Sequence, residues 1–376
     1  MKIGIITFWE SNNNYGQILQ LFAMQTILKR MGHEPFLIKY HRVPPVEQID
    51  FLTKLKNINL LRSIKYRLQA PVRKKSLLLD EKRSFSNFKN EFICFGEKDY
   101  YNLNALQNDP PKADAYITGS DQVWNHTFKV SAEAFLLGFG AKSIKRIAYA
   151  ASYGVKAQDG LTQHMFKKYL ENFSGISVRE KSGLELTKKL GFKANWVLDP
   201  TMLFTAKQWI ELLKLGDIGD SPGVKKDQIF MYMLGNSEIK DKEKFIIHAK
   251  QKTDFKIIHA TANNDFTGNA YPTIPEWIYY ISTSKLVITT SFHGMIFCIL
   301  NNTNFIVLPN TGHAEGMNER IESMLNFLGM GDHIMTCFSH KQFEAILKKE
   351  INWEDINQDL LKWREESILF LTEKLI

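Results

Sequence analysis

The chain has 376 residues, too many for one ordinary core, so two domains are expected. Its 44% apolar and 23% charged residues are those of a soluble globular protein, and it has no run of about 18 uncharged apolar residues that would span a membrane. The formal net charge of +8 is concentrated in one segment, and the rest of the chain is close to neutral.

The opening MKIGIITFWES has no basic region ahead of a long apolar run, so no signal peptide is expected. Residues 2–8 read as a short apolar strand. A polar loop over 9–14 leads through Tyr15-Gly16-Gln17 into a helix ending near 31. Ile18, Leu21, Phe22, Met24, Ile27 and Leu28 recur there at helical spacing, and Gly32 stops it. A second strand covers 35–40. This β-loop-α-β opening implies a parallel sheet.

Residues 51–90 hold eleven Lys/Arg against two Asp/Glu. Lys54, Lys56, Arg62, Lys65, Arg67, Arg73, Lys74, Lys75, Lys82, Arg83 and Lys89 alternate with apolar residues, which predicts a basic helical insert over about 51–92. A solvated helix face is one reading. Peripheral contact with an anionic membrane surface or a polyprenyl-diphosphate carrier is the functional one. No recognition motif accompanies the charge, so nucleic acid is not an expected partner.

Residues 115–118 form the next buried strand, ending in Gly119-Ser120-Asp121-Gln122-Val123-Trp124-Asn125. A strand over 146–151 closes with Ser152-Tyr153-Gly154, and a helix covers 161–173. The pattern then restarts. A strand at 175–178 leads to Arg179-Glu180, a helix covers 181–190, and a strand at 194–198 ends in Asp199-Pro200-Thr201. Residues 210–215 are helical, and 217–227, rich in glycine, form a loop. Strands follow at 228–234, 255–259, 286–290 and 305–308, with helices at 238–250, 275–283 and 293–301 between them. Helices at 319–328 and 356–375 complete the chain.

The fold class is therefore α/β, with two Rossmann-like domains facing a central cleft and a C-terminal helix, the GT-B-like organisation. The expected divisions are 1–174, 175–355 and 356–376. Ligands of open α/β sheets bind at the carboxyl ends of strands. The stretch SKLVITTSFHGMIFCILN at 284–301 puts Ser291, Phe292, His293 and Gly294 at such an end, at the mouth of a helix whose N–H groups and dipole favour an anion. Polar clusters at other strand ends are further candidates. Turn and cap chemistry is the alternative for each: Asn14 and Ser120 are possible caps, and Asp199-Pro200 a turn. Cys94, Cys298 and Cys337 lie far apart, with no CxxC pair or His/Cys cluster, so no metal is expected and a reducing cytoplasm is.

Six of these segments, in order, carry a resemblance. NYGQILQ at 14–20, TGSDQVWN at 118–125, SYG at 152–154, SVREKSG at 177–183, LDPT at 198–201 and TSFHG at 290–294 resemble the polysaccharide pyruvyl transferase family, from residue 1 to about 330. The resemblance implies a GT-B-like enzyme that moves the pyruvyl unit of phosphoenolpyruvate onto two hydroxyls of a sugar, forming a pyruvate ketal and releasing phosphate. It implies an enzyme of bacterial capsule or exopolysaccharide synthesis acting on a glycan or lipid-linked sugar, with no cofactor beyond the donor substrate. Together with the cysteines and the basic segment, a cytoplasmic place at the inner membrane face is expected. The family's donor arginine and late-motif histidine carry over to Arg179 and His293. Arginine grips a phosphate or carboxylate bidentately, and a histidine can serve as acid or base near neutral pH.

One departure stands out. Many family members have an arginine two residues before the histidine, where this chain has Ser291. Arg320 is the expected replacement cation, with His313 and Lys285 behind it, and the polar loop 310–318 is a candidate cover for the cleft. Ser291, Phe292, Gly294, Arg320 and His313 thus make up the expected donor site. Asn14, Tyr15, Gln20, Ser120, Asp121, Gln122 and Trp124 suit an acceptor sugar, which wants amide and carboxylate partners and aromatic platforms. A GT-B glycosyltransferase with a nucleotide-sugar donor, and a non-catalytic glycan- or lipid-carrier-binding protein, are the competing readings. A dehydrogenase is disfavoured, because no GxGxxG follows an early strand, and GFGAKS at 138–143 lacks the order of a P-loop.

Overall fold

The computed structural model describes residues 1–10, 13–42, 78–128, 132–215, 227–234, 244–245, 247–248, 251, 254–262, 265–310, 315–316 and 318–376. Two all-parallel sheets organise it. The first has seven strands in the order β3-β2-β1-β4-β5-β6-β7, made by β1 (Lys2–Ile6), β2 (Glu34–Tyr40), β3 (Phe95–Tyr100), β4 (Ala115–Thr118), β5 (Lys145–Ala151), β6 (Gly175–Val178) and β7 (Asn195–Trp196). The second has the order β11-β10-β8-β9, made by β8 (Gln228–Met233), β9 (Lys256–Thr261), β10 (Leu286–Thr289) and β11 (Phe305–Val307).

The strand order reverses at β1/β4 in the first sheet and at β8/β10 in the second. A crevice opens at such a point because the flanking connections leave to opposite faces. Helix α1 (Tyr15–Arg30) starts beside the first crevice, and helix α2 (Phe292–Leu300) beside the second.

The expected joint at 174/175 needs correction. Strand β6 pairs with β5 (Ile147↔Gly175, Ala148↔Ile176), and β7 pairs with β6, so both belong to the first sheet. Arg179 therefore stands on the first half of the molecule rather than the second. A four-residue apolar strand reads the same whichever sheet it joins, and only pairing decides. Strand β3 was not anticipated. Its sequence FGEKDY carries three charges, as suits an edge strand protected against further pairing.

The two halves share one core. A continuous apolar cluster runs from Ile3, Ile5 and α1 through Met202 and Trp209 to Trp277, Val287 and Phe297. Tyr15 stacks on Trp277 with centroids 5.1 Å apart and meets Tyr232 edge-on at 5.5 Å. Each such ring stabilises by roughly 1.5–3 kcal/mol through burial alone. The C-terminal helix α3 (Trp353–Leu375) returns to the first sheet. Trp363 packs on Trp196 at 4.3 Å, Phe370 on Tyr149 at 6.3 Å, and Ser367 Oγ accepts from Leu198 N–H at 3.0 Å.

Most of the basic insert lies outside the described residues. Of its described part, Arg83 is fully buried and donates to Thr261 Oγ1 of the second half at 3.3 Å. Its charge joins the two halves and is not presented to a membrane. The GFGAKS loop wraps another buried cation: the carbonyls of Leu137, Phe139, Gly140, Ala141 and Ile144 accept from the Arg146 guanidinium at 2.7–3.1 Å. That closed arrangement explains why it is not a phosphate loop. No helix among the described residues is long and apolar enough to cross a membrane.

Candidate functional site

Asp199 is the hub of the candidate site. It is completely buried and sits just beyond β7. Its Oδ1 accepts from Thr201 N–H (3.0 Å) and Thr201 Oγ1 (2.7 Å), which fixes the turn opened by Pro200. Its Oδ2 faces the other way and accepts from Ser120 Oγ at 2.6 Å and Arg179 Nη1 at 2.8 Å. His293 Nε2 is 3.5 Å from the same oxygen, an ion-pair distance. The turn reading and the site reading of Asp199 thus both hold, one on each oxygen.

Four strand ends converge here. Ser120 follows β4, Arg179 follows β6, Asp199 follows β7, and His293 follows β10 of the other sheet. Arg179 Nη1 also donates to Ser120 Oγ at 3.1 Å, and Nη2 lies 3.7 Å from Asp121. Burial pushes the Asp199 carboxyl up, but His293, Arg179 and Ser120 overcome that and hold it well below the usual carboxylate range.

Arg320 joins from the helix α4 (Glu319–Phe327). Its guanidinium lies 5.2 Å from the centroid of Phe292, the ring that Arg179 also covers at 4.8 Å. With its amide oxygen turned toward Arg320, Gln122 accepts from Nη1 at 2.7 Å and Nη2 at 3.1 Å. Burial and the neighbouring Arg179 charge push Arg320 down to about 10. Arg320 Nε, Arg179 Nε and Nη2, and His293 Nε2 are buried without a hydrogen-bond partner. Guanidinium donors left in that state are suited to meet an anionic ligand, whereas His293 Nε2 faces Asp199.

Ser291 caps α2: its Oγ accepts from Gly294 N–H at 3.1 Å, and its own N–H goes to Thr289 Oγ1 at 3.0 Å. Two N–H groups of this helix start are thereby taken inside the protein. The Gly294 Cα packs so that a β-carbon would lie 2.5 Å from Thr289 Oγ1. Lys285 precedes β10 at the amino edge of the sheet, opposite the site. His313 lies outside the described residues, and the ends of its loop are tied by Asn318 Nδ2 donating to the Asn310 carbonyl at 2.8 Å.

Three residues expected to hold the acceptor are placed elsewhere. Tyr15 is fully buried in the shared core and its hydroxyl donates to the Pro272 carbonyl at 2.5 Å. Trp124 is fully buried against Tyr153 and Phe166, with Nε1 donating to Phe135 O at 3.2 Å. Gln20 is fully buried and donates to Thr7 Oγ1 at 3.0 Å, which donates in turn to Ser120 O at 3.0 Å. These side chains brace the site, because an aromatic ring or amide at a strand end is as useful to the core as to a sugar. Asn14 caps α1, accepting from Gln17 N–H at 3.3 Å. Ser120, Asp121 and Gln122 contact the arginines.

Glu180 belongs to the Arg179-Glu180 strand-end cluster, for which a salt bridge between the two is the structural alternative. It is not paired with Arg179; its Oε1 accepts from Tyr153 N–H at 2.8 Å and Gly154 N–H at 3.4 Å. That explains the SYG turn, in which Gly154 has φ +61 and no room for a β-carbon beside Gln122. Gly16, also in one of the strand-end clusters, carried no expected role of its own: His293 lies against it. A glycine in the first turn of a helix carries no sign of what packs on it. Among the described residues no group of three His, Cys, Asp or Glu side chains is placed to hold a metal ion.

Residues 14–312 match the family model described as polysaccharide pyruvyl transferase. No curated protein matches the chain. Among solved structures, the UDP-GlcNAc 2-epimerase of Methanocaldococcus jannaschii, in complex with UDP-GlcNAc and UDP, is similar at 14% identity over 99% of this chain and 100% of that one, with a TM-score of 0.54. The UDP-N-acetylglucosamine 2-epimerase of Rickettsia bellii is similar at 10% identity over 99% and 96%, with a TM-score of 0.51. At such identities the likeness is one of fold, and the fold is GT-B.

Proposed function

This chain belongs to the polysaccharide pyruvyl transferase family, and from that premise we propose that it moves the pyruvyl group of phosphoenolpyruvate onto two hydroxyls of a sugar in a surface polysaccharide or its precursor. One observation carries the proposal. Arg179 and Arg320 bring buried guanidinium N–H groups without hydrogen-bond partners together around Phe292, with His293 and Asp199 beside them, where the strand ends of both sheets meet. A small polyanion bearing phosphate and carboxylate matches two guanidinium groups better than a neutral ligand would.

The chemistry divides into two additions. One sugar hydroxyl bonds carbon 2 of the donor while carbon 3 gains a proton. A second hydroxyl then bonds carbon 2 and gives its proton to the departing phosphate, as the bond from carbon 2 to the phosphate oxygen breaks and phosphate leaves with the electron pair. Arg179 and Arg320 anchor the anionic groups and stabilise the departing phosphate. His293 moves the proton, a role worth about 10²–10⁴-fold in rate. Arg320 takes the place of the arginine absent at Ser291. The acceptor enters beside Asn14, Ser120, Asp121 and Gln122, and the basic stretch before residue 78 is the proposed contact with a lipid-linked acceptor or an anionic membrane.

The test is phosphate release from phosphoenolpyruvate with a panel of sugars and lipid-linked sugars, alongside a nucleotide-sugar panel. His293→Ala is expected to abolish release and leave the melting temperature within a few degrees of wild type. Turnover of a nucleotide sugar instead, or an active His293→Ala enzyme, overturns the reading.

A further inference from the structure

The His293 imidazole rests on Gly16. A β-carbon at Gly16 would lie 2.1 Å from Nδ1, 2.4 Å from Cγ and 2.8 Å from Cε1. Near-equal distances to three adjacent ring atoms place that position over the face of the ring. An atom in line with the Nδ1 lone pair would be much nearer Nδ1 than Cγ. The missing side chain therefore makes room for the ring itself and leaves the in-plane edge at Nδ1 unobstructed by Gly16.

The opposite edge of the ring points inward. Nε2 is buried, with Asp199 Oδ2 at 3.5 Å and no hydrogen bond completed. Asp199 Oδ2 already accepts from Ser120 and Arg179. An ionised carboxylate only accepts, so the group it favours opposite it is an N–H. Catalytic hydrogen bonds are often long before the substrate binds. A proton held on Nε2 leaves the lone pair of the neutral ring on Nδ1, at the seam between the two halves and at the start of α1.

We propose that His293 works through Nδ1, with Asp199 and Gly16 as its positioning residues. This rests on the pyruvyl-transfer reading above. Nδ1 takes the proton of the first attacking hydroxyl as its oxygen bonds carbon 2, and gives that proton to carbon 3. The addition is then balanced with no outside acid. While the ring carries both protons, its charge faces the buried Asp199 carboxylate. Gly16 comes from the first half and His293 from the second, so the dyad is assembled only when the two are packed together.

The test has two arms on the full chain. In the first, ¹⁵N-histidine NMR, with His293 assigned from a His293→Gln spectrum, reports the tautomer. The Nε2–H form is expected in wild type, and Asp199→Asn is expected to lose that preference. An Nδ1–H form in wild type, or an unchanged signal in Asp199→Asn, overturns the proposal. In the second, Gly16→Ala is expected to lower kcat about 100-fold by displacing the ring, while the thermal shift produced by phosphoenolpyruvate persists. An unchanged kcat overturns the proposal. If wild type turns over no donor, the functional reading fails, and the NMR arm still decides the tautomer. That arm also stands if Gly16→Ala does not fold.

Discussion

Arg179 donates from Nη1 to Asp199 Oδ2 over 2.8 Å, and neither side chain is exposed to solvent. Removing one partner of such a pair strands the other charge, which typically costs 3–5 kcal/mol. Asp199→Ala is expected to lower the unfolding free energy at pH 7 by about that much in urea titrations. The sign with pH follows from the depressed Asp199 carboxyl. Its contribution is complete above the unfolded value near ~4, and is lost as pH falls through the lower folded value. Wild type and variant should stay apart from neutral pH down to about 5 and converge in stronger acid. A gap that stays constant into strong acid contradicts this account.

Arg320 and Arg179 share the Phe292 ring, so Arg320 is expected to bind donor directly. Arg320→Ala should raise KM for phosphoenolpyruvate by about 10- to 100-fold, the worth of one hydrogen bond to a charged group. Adding Ser291→Arg in that background should restore part of the loss, at about 1 kcal/mol of stability, because Ser291 is the cap of α2. Steady-state kinetics and a melting curve read the two effects separately. A donor KM untouched by Arg320→Ala removes Arg320 from the site.

Tyr15 serves the shared core. Tyr15→Phe keeps the stack on Trp277 and removes the bond to Pro272 O. Loss of about 1 kcal/mol in stability is expected, with acceptor KM unchanged. A large rise in acceptor KM at wild-type stability places Tyr15 back against the sugar.

Trp363 ties the C-terminal helix to the first sheet through Trp196 and to the helix carrying Arg320 through Phe327, with centroids 4.3 and 4.6 Å away. Trp363→Ala is expected to cost about 3–5 kcal/mol. Trp196 Nε1 donates to the Arg179 carbonyl at 3.0 Å, so the loss should also lower kcat. Differential scanning calorimetry and kinetics on the same preparation test both, and a variant melting with wild type rejects the first.

The strands most legible in the chain were those that are apolar and short. Residues 115–118, 175–178 and 286–290 are buried on both faces, so they read as unbroken apolar runs. Strand β3, with Glu97, Lys98 and Asp99 in its middle, was not legible, because an edge strand has no such requirement. The polar residues at strand ends were legible as candidates and ambiguous as to role. Asp and Ser serve turns, caps and anion sites with the same atoms, and Trp124 and Tyr15 satisfy a core as readily as a ligand.

The sequence by itself determined the α/β class, the alternation of strands and helices, and the order of the family motifs. It did so because periodicity and composition act locally along the chain. Only the tertiary structure decided that β6 and β7 join the first sheet, that Asp199 is the hub, and that Gly16 carries the face of His293. Each of these depends on contacts between residues far apart in the chain, whose energies arise only once the strand order and the meeting of the two halves are set.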